Sequence, residues 1–263
     1  MASVFDTLPS SVTGEMKDDI AILRLSRPDK RNALDDTMIA GIEMLFDKLP
    51  AEAKAVLLHA EGEHFSAGLD LSELTIRTTA EAIAHSRNWH RVFRQIEFGR
   101  VPVVAVMHGA VVGGGLELVA SCHVRVAERS AYYALPEGSR GIFVGGGGSV
   151  RVSRLIGVSR MMEMMMTGRT YDAEQGFAFG LSHYVVDDGK GFEKGLELAR
   201  RVGANAPMTN YALMHALPRI AESDPEAGLL MESLMSAIAQ ADPQAKVRLR
   251  EFLEKRGPKV TRG

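Results

Sequence analysis

The chain has 263 residues, 46% of them hydrophobic and 24% charged, which is enough for one large domain or one domain with an appendage. The formal net charge of −2, with basic residues dispersed or paired with acids, gives no nucleic-acid footprint, and no window approaches the ~18 uninterrupted apolar residues of a membrane span. The single cysteine, Cys122, excludes an internal disulfide framework and fits a reducing compartment; MASVFDTLPSSVTGEMKDD shows neither a secretory signal nor a transit peptide, so a cytoplasmic protein is expected.

Alternation in Ile20 to Leu25 (IAILRL) predicts a strand, and the polar turn SRPDKRNAL leads into an amphipathic helix from about Asp35 to Leu49. Lys54 to His59 (KAVLLH) and Pro102 to His108 (PVVAVMH) read as buried strands, with a helical stretch around Ala80 to Glu97 between them that carries the only tryptophan, Trp89. A strand pair is expected at Cys122 to Ala127 and Ala131 to Leu135, and a short strand at His183 to Val186. Strands alternating with helices imply an α/β fold. Beyond Lys190 the pattern is helical throughout, with Pro207, Pro225 and Pro243 each where a helix begins, so that the last quarter reads as a helical appendage.

Three glycine-rich stretches stand out. In GAVVGGGLEL (109–118) three consecutive glycines follow a strand and precede an apolar segment whose one acid is Glu117. Glycine costs about 0.5–1 kcal/mol relative to alanine inside regular structure, so side chains must be absent there for a positive reason. If a helix starts at the glycines, its free N–H groups can receive an anion or a developing oxyanion, with Glu117 in the first turn beside them. The same residues also suit tight packing of a helix on a strand, with Glu117 as a favourable first-turn acid. EHFSAGLDLSEL (63–74) places a small Ser-Ala-Gly turn after a strand and supplies another free N–H. YYALPEGSRGIFVGGGGS (132–149) sets Glu137 after a proline and four glycines before a helix; a loop glutamate in isolation is most often solvated surface.

Rival chemistry fares poorly. No G-x-x-x-x-G-K-[ST], G-x-G-x-x-G or G-x-S-x-G occurs. The histidines lack metal spacing: His85 and His90 are about 140° apart around a helix and diverge. Cys122 has no neighbouring base and reads as a small buried hydrophobe, and the run MMEMMM (161–166) reads as core filling rather than as a flexible binding surface.

Taken together, RPDKRNAL (27–34), HFSAGLDL (64–71), PVVAVMHGAVVGGGLEL (102–118), ALPEGSRGIFVGGGGS (134–149), MTGRTYDAEQGFAFGLSHYVV (166–186) and FLEKR (252–256) resemble the crotonase, or enoyl-CoA hydratase, family over nearly the whole chain. The resemblance implies a spiral of β-β-α turns carrying the CoA-thioester site over residues 1–200. It implies a helical assembly region over 201–263, and a homotrimer or a homohexamer. It also implies that the thioester oxygen is held by the amides of Leu69 and Gly114, donors worth about 2.7–4 kcal/mol each when charge develops on oxygen. Glu117 then orients and deprotonates water and Glu137 donates the proton to C2. Arg31, Ala33, Ala67, Gly68, Asp70 and Leu71 contact the CoA substrate, and Phe252 and Lys255 reach the CoA of a neighbouring subunit. No metal or redox cofactor is required, since CoA is part of the substrate.

The resemblance has departures. Ser72 stands where the mitochondrial hydratases have a lysine near CoA, and Val144 to Gly148 (VGGGG) replaces a common P-G-A-G-G and is expected to reshape the acyl-pocket floor. The SRGIFVGGGGS segment, with Arg140, looks like a subgroup acting on unusual acyl groups such as methylthioacryloyl-CoA. Trp89, Phe93, Phe143, Val144 and the methionines of 161–166 are candidates for setting pocket depth, and core packing explains each as readily. The function implied is reversible syn hydration of a short 2-enoyl-CoA. The alternatives are thioester hydrolysis with the same donors and glutamates, or a CoA-binding scaffold.

Overall fold

In the computed structural model, which describes residues 3–73, 78–254 and 256, the apolar runs become the middle of a six-stranded sheet. The strands in chain order are β1 (Val12–Lys17), β2 (Ile20–Leu25), β3 (Ala55–Ala60), β4 (Val103–Met107), β5 (Ala110–Val112), β6 (Val124–Glu128), β7 (Tyr132–Ala134), β8 (Tyr171–Asp172) and β9 (Tyr184–Val186). The large sheet runs β1-β2-β3-β4-β6-β9 and is parallel apart from the β1–β2 hairpin; β5-β7-β8 form a second, three-stranded sheet. Parallel strands covered on both faces are buried along their length, which is why AVLL (55–58) and VVAVM (103–107) run as continuous apolar stretches rather than alternating.

One face of the large sheet packs on α1 (Asp36–Asp47) and α2 (Thr79–Glu97), whose Met38, Ile39, Ile42, Leu45, Trp89, Val92, Phe93 and Ile96 join the main core. The Asp35 side chain caps α1 by accepting from the Met38 amide at 2.7 Å. The chain then winds through successive β-β-α turns: β4, β5 and α3 (Gly114–Val119), then β6, β7 and α4 (Gly148–Ile156). It continues through α5 (Val158–Thr167) and α6 (Ala173–Phe179). The opposite face is covered by α7 (Gly191–Gly203), where Leu196, Leu198 and Ala199 meet Ile20, Ile22, Leu57 and Val104. A Cβ on Gly195 would collide with Val106, so glycine allows α7 to lie directly on the sheet. The first compact unit ends at Gly203 and so includes α7.

The second unit begins at Ala204 and holds α8 (Pro207–Tyr211), α9 (Leu217–Ile220), α10 (Pro225–Ala241) and α11 (Pro243–Leu253). Pro207, Pro225 and Pro243 are first helical residues, as their fixed φ and missing N–H favour. The helix expected across TNYALMHALPRIAES is broken by a π-helical segment, Ala212–Ala216, because Pro218 offers no N–H and crowds the carbonyl one turn back. Among the described residues no helix is long and apolar enough to cross a membrane.

The expected pairing of the strands near 122–127 and 131–135 is corrected: β6 lies parallel between β4 and β9, whereas β7 crosses to the second sheet beside β5. The short link between them is tied elsewhere, Arg129 N–H to Val186 O and Ser130 N–H to Asp188, so no hairpin forms. The unforeseen strands are an edge strand interrupted by Gly14 (β1) and two of three residues or fewer (β5, β8).

Asn32 ties β2 to the segment after β3. It is fully buried at φ +52°, accepts from Arg27 N–H at 2.8 Å, and donates to the carbonyls of Glu61 and His64, both at 2.8 Å. Asn32→Ala leaves these backbone groups unpaired and is expected to cost about 2–4 kcal/mol in chemical unfolding. A loss below about 1 kcal/mol would show that Asn32 does not anchor the segment.

Candidate active site

The backbone from His64 to Asp70 is held on two sides. Ser66 N–H donates to Ala110 O and Val112 N–H to Ser66 O, a parallel bridge to β5; Leu34 N–H donates to Gly68 O and Asp70 N–H to Leu34 O, a second bridge on the other side. In the second bridge the bonds go to residues flanking Leu69, so the Leu69 N–H points away from it. Across from it, the chain leaves β5 through Gly113 at φ +51°, which precedes the first residue of α3, Gly114. The two amides are brought together: a Cβ on Gly114 would lie 3.4 Å from Leu69 N, and one on Gly68 would lie 3.3 Å from Gly114 N. A side chain on Gly114 would also meet the Trp89 ring at 2.8 Å. The glycines therefore serve close backbone approach and a free helix-start amide at once.

Glu117, on the first turn of α3, is 3% exposed, and its Oε1 accepts the amides of Gly146 at 2.8 Å and Gly148 at 2.7 Å. Burial pushes its pKa up, opposed by those amides and the Arg151 guanidinium. VGGGG is thus the cradle of Glu117 before it is any floor of an acyl pocket: a Cβ on Gly148 would lie 2.8 Å from Glu117 Cγ. Glu137 is 7% exposed, and its Oε2 has no hydrogen-bond partner among the described residues. Burial chiefly, with the Glu117 charge added, pushes it up to about 7. Two raised carboxyls that sense each other titrate as a coupled pair.

Leu69, Gly114, Glu117 and Glu137 line one cavity of about 570 Å³. Its apolar wall includes Trp89, Ile142, Phe143 and Val144, and α2 adds Ile83, His85 and Ser86. Phe93 is fully buried behind Trp89, with ring centroids 5.6 Å apart. Met161 and Met164 are core residues, as expected, but Met162 and Met166 are exposed and line a separate hollow with Met161 and Met165. Cys122 is buried, donates to Leu118 O and is pushed up to about 12 by burial, inert as a nucleophile.

Of the other residues singled out, Arg31, Ala33, Ala67, Gly68, Asp70 and Leu71 stand in the backbone around Leu69, outside that cavity's lining among the described residues. Arg31 is exposed in the left-handed region and its carbonyl accepts the Ala67 amide. The Ala33 carbonyl accepts Arg27 Nη1 at 3.1 Å. The Asp70 carboxylate is engaged by Ser72 at 2.7 Å and Arg27 at 2.8 Å, which hold it below its ordinary range; Ser72, in the lysine position, braces this loop. Leu71 is exposed, as is Phe252 on α11 of the second unit, and Lys255 lies outside the described residues. Sequence inspection missed Asn32, Arg27 and the Glu97–Arg151 pair, whose work is done across separations that no local spacing marks.

A buried carboxyl pair thus shares one cavity with Leu69 and Gly114, on a spiral of β-β-α turns. The sequence profile of the Enoyl-CoA hydratase/isomerase family matches residues 15–262. The chain therefore belongs to that family and has the crotonase fold. It is 29% identical over 250 residues to the Short-chain-enoyl-CoA hydratase of Clostridium acetobutylicum, covering 94% of this chain and 96% of that one. A solved structure of a provisionally named enoyl-CoA hydratase from Rhodopseudomonas palustris is 54% identical with a TM-score of 0.91, covering 94% and 95% of the two chains. The enoyl-CoA hydratase from Bacillus anthracis is 28% identical with a TM-score of 0.87, covering 95% and 98%. Acyl-CoA thioesters are the substrates that this family name implies.

A carboxyl whose folded pKa lies above its unfolded value costs the native state as pH rises from the unfolded value, 4.5 for Glu137, and costs it fully above about 7. Glu137→Gln is accordingly expected to raise the melting temperature at pH 8 and to change it little at pH 4. An equal shift at both pH values would contradict the buried, raised carboxyl.

Proposed function

We propose that the protein is an enoyl-CoA hydratase that adds water reversibly, in syn fashion, to the double bond of a short 2-enoyl-CoA thioester. The observation that carries this reading is the convergence of two buried, raised carboxyls on the cavity that receives the Leu69 and Gly114 amides. The thioester oxygen accepts both N–H groups. Ionised Glu117 takes a proton from water as the water oxygen bonds to C3, and the double-bond electrons move into the enolate, whose negative oxygen the two amides stabilise. Glu137, still protonated, delivers its proton to C2, and a proton passed from Glu117 to Glu137 restores the pair. Dehydration runs the same steps backward.

The Trp89 ring over Gly114 limits bulk beside the thioester carbonyl and supports a short acyl group, in line with the name of the Clostridium relative. We assign CoA binding to the backbone around Arg31, Ala33, Ala67, Gly68, Asp70 and Leu71, with Phe252 and Lys255 of a neighbouring subunit. The steps need no metal or redox cofactor and are placed in the cytoplasm. Assembly as a homotrimer or homohexamer is supported by α10, where Leu229, Leu230, Leu234 and Ile238 are all about half exposed or more on the single chain.

Crotonyl-CoA incubated with the enzyme should lose its enone absorbance without releasing free CoA; release of CoA from a saturated acyl-CoA at the same rate would make it a hydrolase. Glu117→Gln and Glu137→Gln should each lower kcat about 10²–10⁴-fold. The kcat/KM profile should be bell-shaped, falling at low pH as Glu117 takes a proton and at high pH as Glu137 loses its own, at about 7. A flat profile would sink the paired roles. Light scattering should give the mass of three or six chains, and a monomer would refute the assembly.

A further inference from the structure

Glu117 depends on a segment that has little stiffness of its own, four glycines from Gly145 to Gly148. What holds this segment comes from two helices. On α4, Arg151 is 9% exposed and its Nη1 donates to the Gly146 carbonyl at 3.1 Å; a Cβ on Gly147 would collide with the same nitrogen. On α2, Glu97 receives Arg151 Nε at 2.9 Å and Nη2 at 2.8 Å, while Ser86 Oγ donates to the Gly145 carbonyl at 2.6 Å. The chain of contacts runs Glu97, Arg151, Gly146 carbonyl, then Gly146 amide to Glu117 Oε1, from a half-buried Glu97 inward to buried groups.

We propose that Arg151, fixed by Glu97, is a positioning residue for Glu117: it clamps the peptide segment whose amides grip the carboxyl. The clamp stands on the geometry alone; its kinetic signature rests on the hydratase reading above.

The groups facing Glu117 come from three elements. Glu137 and the Gly146 amide come from the loop between β7 and α4, with Arg140 acting on Glu137. Arg151 and the Gly148 amide come from α4. Glu97 and His90 come from α2, where burial and then Arg151 hold His90 below its ordinary pKa. α3 carries no ionisable group besides Glu117. Within this set the guanidinium opposes the upward push of burial on Glu117, and Glu97 partly cancels the guanidinium. Removing Arg151 and neutralising Glu97 must therefore move Glu117 in opposite directions.

The test compares Arg151→Met, Arg151→Lys and Glu97→Gln with the parent enzyme. The kcat/KM profile is measured on crotonyl-CoA, and the Glu117 midpoint is read by 13C NMR of glutamate-labelled protein, assigned by difference from Glu117→Gln. Arg151→Met should raise both the acid limb and the NMR midpoint by about one pH unit. It should lower kcat about ten- to a hundredfold as the carboxyl loses its aim, with KM changed less than about threefold. Glu97→Gln should lower the midpoint. Arg151→Lys, which keeps the charge but not the forked contacts, should lower kcat with a smaller midpoint change than Arg151→Met. A role confined to folding would leave the midpoint unmoved in every folded variant, and that result, or a shift of the same sign in Arg151→Met and Glu97→Gln, overturns the proposal. If Arg151→Met does not fold, Glu97→Gln decides alone, and a midpoint that rises or stays overturns it. Absence of crotonyl-CoA hydration in the parent enzyme would count against the hydratase reading, while the NMR midpoints still decide the role of Arg151.

Discussion

The segment from His64 to Asp70 has no regular partner strand, yet its peptide groups are divided between β5 on one side and Leu34 on the other. Buried peptide groups must be paired, and this division pairs those on either side of Leu69 while its own amide points away from Leu34. The arrangement propagates outward. Asn32 must stay in a left-handed conformation to reach the carbonyls of Glu61 and His64, Ser66 must be small enough to donate to the Asn32 carbonyl at 2.8 Å, and Gly68 and Gly114 must lack side chains. Arg27 closes the ring by pairing with Asp35 at 3.0 Å and Asp70 at 2.8 Å.

Against that fixed pair of amides the chain sets two carboxyls in apolar surroundings. Each would lose its charge if burial acted alone. The amides of Gly146 and Gly148 and the Arg151 guanidinium temper this for Glu117, whereas Glu137 keeps a buried oxygen without a partner among the described residues. The asymmetry separates two chemically identical side chains into one that is held and one that is left open to the cavity. It is also a local sacrifice of stability, since a fold free of the site would leave neither carboxyl there.

The second unit follows different constraints. Its helix starts are set by proline, and α10 carries leucines and an isoleucine outward rather than into its own core. The first unit shows no comparable run on its central strands, which are buried on both faces.

Much was legible in the residues alone because it is local. Apolar runs marked β2, β3, β4 and β6, prolines marked the starts of α8, α10 and α11, and consecutive glycines marked the start of α3 with Glu117 one turn in. Each rests on the conformational preference of a few adjacent residues. The partnership of β7 with β5 rather than β6 and the widened turn before Pro218 were settled by packing, which no short window contains. The same holds at the site: glycines and acids announced themselves, but the bracing of Glu117 by residues 54 positions apart, Glu97 and Arg151, did not. A side chain's type and its neighbours in sequence fix what it can do. Which groups leave water beside it, and therefore its charge and its aim, are decided only when distant segments fold together.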